Sequence, residues 1–141
     1  MPGWRWVRPD VVFAIHDEQI AEHGGAPGIR DRTVIESALA RPRHLVDYGD
    51  PPPDAAALAA AYAYGLARNH GFMDGNKRTA FVVALVFLLD HGLALAADDA
   101  GAVRSMLATA AGTITEADLA DWIRQNSRPL PDRPHPAEET P

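Results

Sequence analysis

Apolar residues recur along this chain at helical rather than strand spacing, and the pattern divides it into six segments. The first runs from Pro9-Asp10 to Gly24-Gly25, with Val11, Val12, Ile15 and Ile20 on its apolar side. Proline suits its first turn and the glycine pair ends it. The second begins after Asp31, an expected N-cap, and turns Val34, Ile35, Ala38 and Leu39 inward until Arg41-Pro42, where proline predicts a stop. Residues 43–53, rich in Pro, Gly and Asp, predict a surface loop. A third helix is expected over 54–69 and a fourth over 76–91. Residues 80–89 are apolar on every side, so the fourth helix is expected at the buried centre; it is far short of the ~20 residues a membrane span needs. A fifth helix, over 98–111, turns Val103, Met106 and Leu107 inward. A sixth, from Thr115 to Gln125, opens with acids in its first turn and packs with Leu119, Trp122 and Ile123. No run alternates cleanly between apolar and polar, and there is no internal repeat. The expected fold is all-α, a compact bundle of about six helices.

The ends differ from the body. Trp4-Arg5-Trp6 reads as a short extended arm packed on the domain, and residues 1–9 have no apolar run of the signal-peptide kind. Residues 129–141, rich in Pro, Asp and Glu, are expected to form a disordered tail to a domain over 1–128. His16 and His23 lie seven apart, which hints at a metal. No third ligand has matching spacing, so partly exposed packing is their expected role.

Length and composition narrow the classes. A chain of 141 residues suits one domain with its own core, and 47% hydrophobic content is ordinary for a globular protein. With no cysteine there is neither a disulfide framework nor a thiolate metal site. A formal net charge of −6 argues against a general nucleic-acid binder and sets any local cationic cluster apart. A cytoplasmic protein with no direct nucleic-acid or membrane partner is expected.

Such a cluster lies between the third and fourth helices, in Arg68-Asn69-His70-Gly71-Phe72-Met73-Asp74-Gly75-Asn76-Lys77-Arg78-Thr79-Ala80. Gly71 and Gly75 allow sharp turning and close approach to a ligand. Asp74-Gly75-Asn76 reads as a loop that ends by starting a helix, whose first N–H groups lack internal partners and carry partial positive charge. Lys77 and Arg78 fall in that first turn, where exposed cations cost roughly 0.3–1 kcal/mol each. Placing two there makes sense if an anion is bound, and phosphate is the usual guest. His70 is placed to take a proton from an attacking hydroxyl, and Asp74 to hold a magnesium ion bridging phosphate oxygens. Taken singly, each has an ordinary explanation: Asp74 as an N-cap, His70 as a group satisfying helix carbonyls, Lys77 and Arg78 as solvated surface, Phe72 as a core anchor. Together they supply what phosphate-ester transfer needs.

The string His70-x-Phe72-x-Asp74-Gly75-Asn76-Lys77-Arg78 resembles the signature of the Fic/Doc superfamily, and more narrowly its death-on-curing (Doc) toxins. The resemblance extends to residues 23–31, to residues 35–42 and to Arg68. The adenylyl-transferring Fic pattern is His-Pro-Phe-x-(Asp/Glu)-Gly-Asn-Gly-Arg-x-x-Arg. Here Gly71 replaces the proline, Lys77 the third-block glycine and Phe81 the final arginine, and Val82 stands where some relatives carry Asn. Lysine at position 77 is the Doc variant of the loop. It fills volume a glycine leaves open and adds a point charge.

The resemblance implies a toxin acting as a protein serine/threonine kinase, with ATP bound in the reversed sense so that its terminal phosphate is attacked. His70 would be the base and Asp74 the Mg2+ ligand. Gly75, Asn76 and Lys77 would form the anion cradle, Lys77 and Arg78 would bind phosphates, and Arg68 would be a further phosphate or target contact. It also implies elongation factor Tu as target, a flap over the site from residues 43–53, and a cognate antitoxin whose C-terminal helix fills a groove, since the self-inhibiting Ser/Thr-x-x-x-Glu-Gly/Asn string is absent. Two other readings remain open: an adenylyl or nucleotidyl transferase acting on a protein hydroxyl, and a catalytically inactive antitoxin-binding module.

Overall fold

Short polar residues set where most of the helices begin. A computed structural model describes residues 3–131, and residues 132–141, most of the expected tail, lie outside the described residues. The Asp31 carboxylate accepts from the N–H groups of Thr33 and Val34 and opens α2 (Arg32–Tyr48). Asp54 caps α3 (Ala55–Asn69) through Ala57 N–H, and Asp98 caps α5 (Asp99–Ala111) through Gly101 N–H. Thr115 and Asp118 form a reciprocal capping box at α6 (Glu116–Asn126). The two exceptions are α1 (Pro9–His23), which has proline in its first turn, and α4 (Asn76–Asp90), which follows Gly75 with no side-chain cap.

The all-α architecture, with six helices among the described residues, matches the expectation, with two refinements. The most enclosed element is α3, which packs against α2, α4, α5 and α6. Ala56, Ala59, Ala60, Ala61, Ala63 and Ala67 are all buried in it. Such small side chains let several helices approach one axis, while Leu58, Tyr62 and Leu66 supply the bulk. The neighbouring α4 buries Val83, Ala84, Phe87 and Leu88 yet leaves Leu89 half exposed, so its uniform apolarity overstated its enclosure.

The stop expected at Pro42 is not observed: α2 continues to Tyr48 with Pro42 inside it. Proline removes one helical hydrogen bond and crowds the preceding turn at ~3 kcal/mol. Here the ring is buried, and Leu45 and Val46 beyond it pack on the core, which offsets that cost. Residues 43–48 are therefore helix rather than loop.

Strands were not expected, and the described residues contain two short ones. β1 (Leu93–Leu95) pairs antiparallel with β2 (Ser127–Pro129), in the register Leu93 with Pro129 and Leu95 with Ser127. Leu130 N–H donates to Gly92 O at 2.9 Å, so ordered structure passes the boundary expected at residue 128. Three residues are too few to display a period-2 pattern. The arm behaves as read. Trp4 and Trp6 stack near Phe87 at 6.1 and 6.4 Å, and Val7 N–H donates to the buried Tyr62 hydroxyl at 3.0 Å.

Arg124 of α6 grips Asp54 through two hydrogen bonds of 2.7 and 2.9 Å, joining the start of α3 to α6. The guanidinium holds the Asp54 carboxyl below its ordinary range. A depressed carboxyl stabilises the fold fully above its unfolded value, near ~3.9, and that contribution fades as pH falls through the folded value. Arg124→Ala should therefore cost up to ~1 kcal/mol at pH 7, as exposed pairs do, and progressively less as the pH falls below ~3.9. Urea melts of both chains over a descending pH series check this.

Candidate active site

The loop between α3 and α4 is held at most of its backbone groups. At the end of α3, His70 adopts φ 51° and ψ 49°, the only left-handed non-glycine residue among those described. That conformation costs a non-glycine residue roughly 1–2 kcal/mol and needs support. Gly71 follows where a Cβ would collide with Ile35 Cγ1 of α2, which accounts for glycine at a position where a proline ring has no room. Phe72 is buried, stacked on His16 at 3.9 Å and edge-on to Phe13 at 6.0 Å. The Asn76 side chain reaches back to it: Oδ1 accepts from Phe72 N–H at 3.0 Å and Nδ2 donates to Phe72 O at 3.1 Å.

The segment after α1 wraps this loop. Arg30 N–H and Asp31 N–H both donate to Gly71 O, and Met73 N–H donates to Gly28 O. Ile29 bridges Phe72. At Gly25, φ is +116° and a Cβ would lie 2.9 Å from Asp74 Oδ2, so glycine is what permits the approach. Asp74 is exposed. Its Oδ1 accepts from Gly75 N–H at 3.0 Å and its Oδ2 from Ala26 N–H at 3.3 Å. Its carbonyl accepts from His16 Nε2–H at 2.8 Å, which fixes that proton on Nε2. His16 is thus buried against the loop rather than partly exposed, and His23 is exposed beside Glu22. Among the described residues no cluster of three or more side chains suits a metal.

The first helical bond of α4 runs from Thr79 N–H to Gly75 O. The N–H groups of Asn76, Lys77 and Arg78 therefore have no helical partner, and no side chain caps them. These residues, with His70, Met73, Asp74 and Gly75, line a cleft of about 290 Å³. Lys77 is exposed at its rim. Arg78 Nη2 donates to Gly24 O at 3.0 Å, while its buried Nε has no protein partner. An anion there meets free amide donors, helix-dipole charge and two cations.

Six of the seven residues singled out from the sequence thus meet at one cleft: His70, Asp74, Gly75, Asn76, Lys77 and Arg78. The Asn76 side chain is occupied with Phe72, so only its backbone N–H is left for a ligand. Arg68 is placed elsewhere. Its Nη1 donates to Ala110 O, its guanidinium lies 5.8 Å from the Tyr64 ring, and it lines a separate cleft with Ser37, Arg41, Asn69 and Glu116. The segment covering the loop is 24–31, whereas Gly49, Asp50 and Pro51 to Pro53 line a different cleft against α6; the flap expected at 43–53 is not there. His16 and Arg30 carried no local signal, because their partners lie 58 and 40 residues away.

Residues 6–88, which span α1 to most of α4, match the model of the Fic/DOC family. The chain belongs to that family. This Fic/Doc protein is of the Doc type, as two curated relatives indicate. It is 33% identical over 121 residues to the protein named Protein kinase doc of Escherichia phage P1, an alignment covering 86% of this chain and 94% of that one. It is 45% identical over 75 residues to Toxin Doc of Mycolicibacterium smegmatis, covering 53% and 58% respectively. No helix among the described residues is long and apolar enough to cross a membrane.

Proposed function

We propose that this Doc-type protein is a toxin that transfers the terminal phosphate of ATP to a serine or threonine hydroxyl of a protein. The observation that carries the reading is the uncapped start of α4, facing a cleft that also exposes His70 and Asp74. The hydroxyl oxygen attacks the terminal phosphorus, the bond to the bridging oxygen breaks, and a nucleoside diphosphate leaves. His70 takes the hydroxyl proton. The amides of Asn76 to Arg78, with Lys77 and Arg78, hold the phosphates.

The donor set fits a magnesium ion. Such an ion keeps several waters and needs only one or two carboxylates beside phosphate oxygens. The exposed Asp74 carboxylate gives one lone pair on each oxygen to an N–H group and retains the others. When bound, the ion would neutralise phosphate charge. By family analogy the protein target is elongation factor Tu, whose modification stops translation. An apolar hollow of about 190 Å³ between Phe81, Val103, Met106 and Leu107, rimmed by Lys77 and Arg78, suits the apolar face of an antitoxin helix.

The test supplies the chain and a translation extract with ATP labelled at the terminal or the innermost phosphate. Terminal label on a protein is the expected result. Innermost label would replace kinase by adenylyl transfer. No label, with growth arrest unchanged on removal of His70, would make the chain a binding module.

A further inference from the structure

The backbone around His70 is held by one residue from another part of the chain. Arg30 donates from Nη2 to Asn69 O at 3.2 Å and from Nε to His70 O at 2.7 Å, and its backbone N–H donates to Gly71 O at 2.8 Å. Three successive carbonyls at the end of α3 thus share one partner. That end needs one, because the last carbonyls of a helix have no internal donors. At α1, α2, α4 and α5 a backbone N–H of the C-cap residue turns back onto the helix; at α3 and α6 none does. Here the chain leaves through His70 in a left-handed conformation, without the glycine that commonly ends a helix. The guanidinium supplies the missing donors, and its positive charge suits the negative end of the α3 dipole.

We infer that Arg30 is a positioning residue for His70: its planar fork fixes the left-handed turn that presents the imidazole to the cleft. The inference rests on the kinase reading for its rate, but not for its geometry. Lysine cannot reproduce the contact, since a single ammonium lacks the two-pronged reach to adjacent carbonyls. The backbone bond to Gly71 survives any side-chain substitution, so Arg30→Ala isolates the fork.

In the full-length chain, Arg30→Ala should lower kcat for phosphate transfer by ~10²-fold, the scale of a ~1 Å misplacement of a reacting group. KM for ATP should change less than threefold, because the cradle at α4 is untouched. Arg30→Lys should recover only a small part of the loss. In a His70→Asn background Arg30→Ala should cost nothing further, since both act on one step. The amide–Hα coupling of His70, which reads φ by NMR, should leave its left-handed value in Arg30→Ala. Loss of thermal stability with kcat and coupling unchanged would overturn the inference, as would an equal loss of rate in the His70→Asn background. If the unaltered chain transfers no label, the kinase reading fails and the coupling alone decides the role of Arg30.

Discussion

Replacing His70 with asparagine should leave the protein folded and lower phosphate transfer by ~10²–10⁴-fold, the range that a general base contributes. Asparagine is a cleaner substitution than alanine. His70 holds φ 51°, and asparagine tolerates that region better than most residues. The imidazole is exposed and no hydrogen bond within the described protein depends on its ring, so few contacts are lost. The carbonyls of Asn69 and His70 remain available to Arg30. Unfolding should therefore stay within ~1 kcal/mol of the parent while the rate collapses. Initial rates of label transfer, together with a urea melt, measure both. Cells producing the parent chain should stop growing and cells producing His70→Asn should not. A transfer rate within threefold of the parent would remove His70 from the chemistry and leave the cleft with binding alone.

What could be read from the sequence was what is local. The starts of α2 and α6 were legible because Asp31 and Thr115 bond to amides two or three residues on. The cleft was legible because its residues form one short string, His70 to Arg78, and a helix start gathers them. What escaped depends on distant parts. The central place of α3 rests on alanines, which in sequence look like mere helix formers; their smallness counts only where other helices press in. Pro42 looked like a stop because the burial that offsets it comes from other elements. Arg68 was placed with the site by the resemblance, but its side chain turns toward α5 and bonds there to Ala110 O. The side chain of Asn76 closes the loop onto Phe72, a role its sequence context did not show, and its backbone N–H alone is left for the cradle.

Phe72→Ala should be the most destabilising single change in this loop, at ~3–5 kcal/mol. The ring is 1% exposed and fills the space between His16, Phe13 and the loop itself. Alanine leaves a void there, and neighbours rigidly built into α1 and α4 have little room to close it. For a domain of this size the loss is a large part of the typical 5–15 kcal/mol total. Urea melts should show a lower midpoint with an unchanged slope. Phe72→Leu, which keeps most of the volume, should recover more than half. The consequence for the site separates this ring from an ordinary core residue. His16 stacks on Phe72 while its Nε2–H holds the Asp74 carbonyl, and Asn76 ties Phe72 to the start of α4. Without the ring, His16 loses the surface that aims it, and the Asp74 carboxylate loses its register with the α4 amides. In the cold, where Phe72→Ala is still folded, label transfer should therefore remain well below the parent rate, with His70 in place. Full activity in that folded fraction would show that the ring stabilises the domain without aligning the loop.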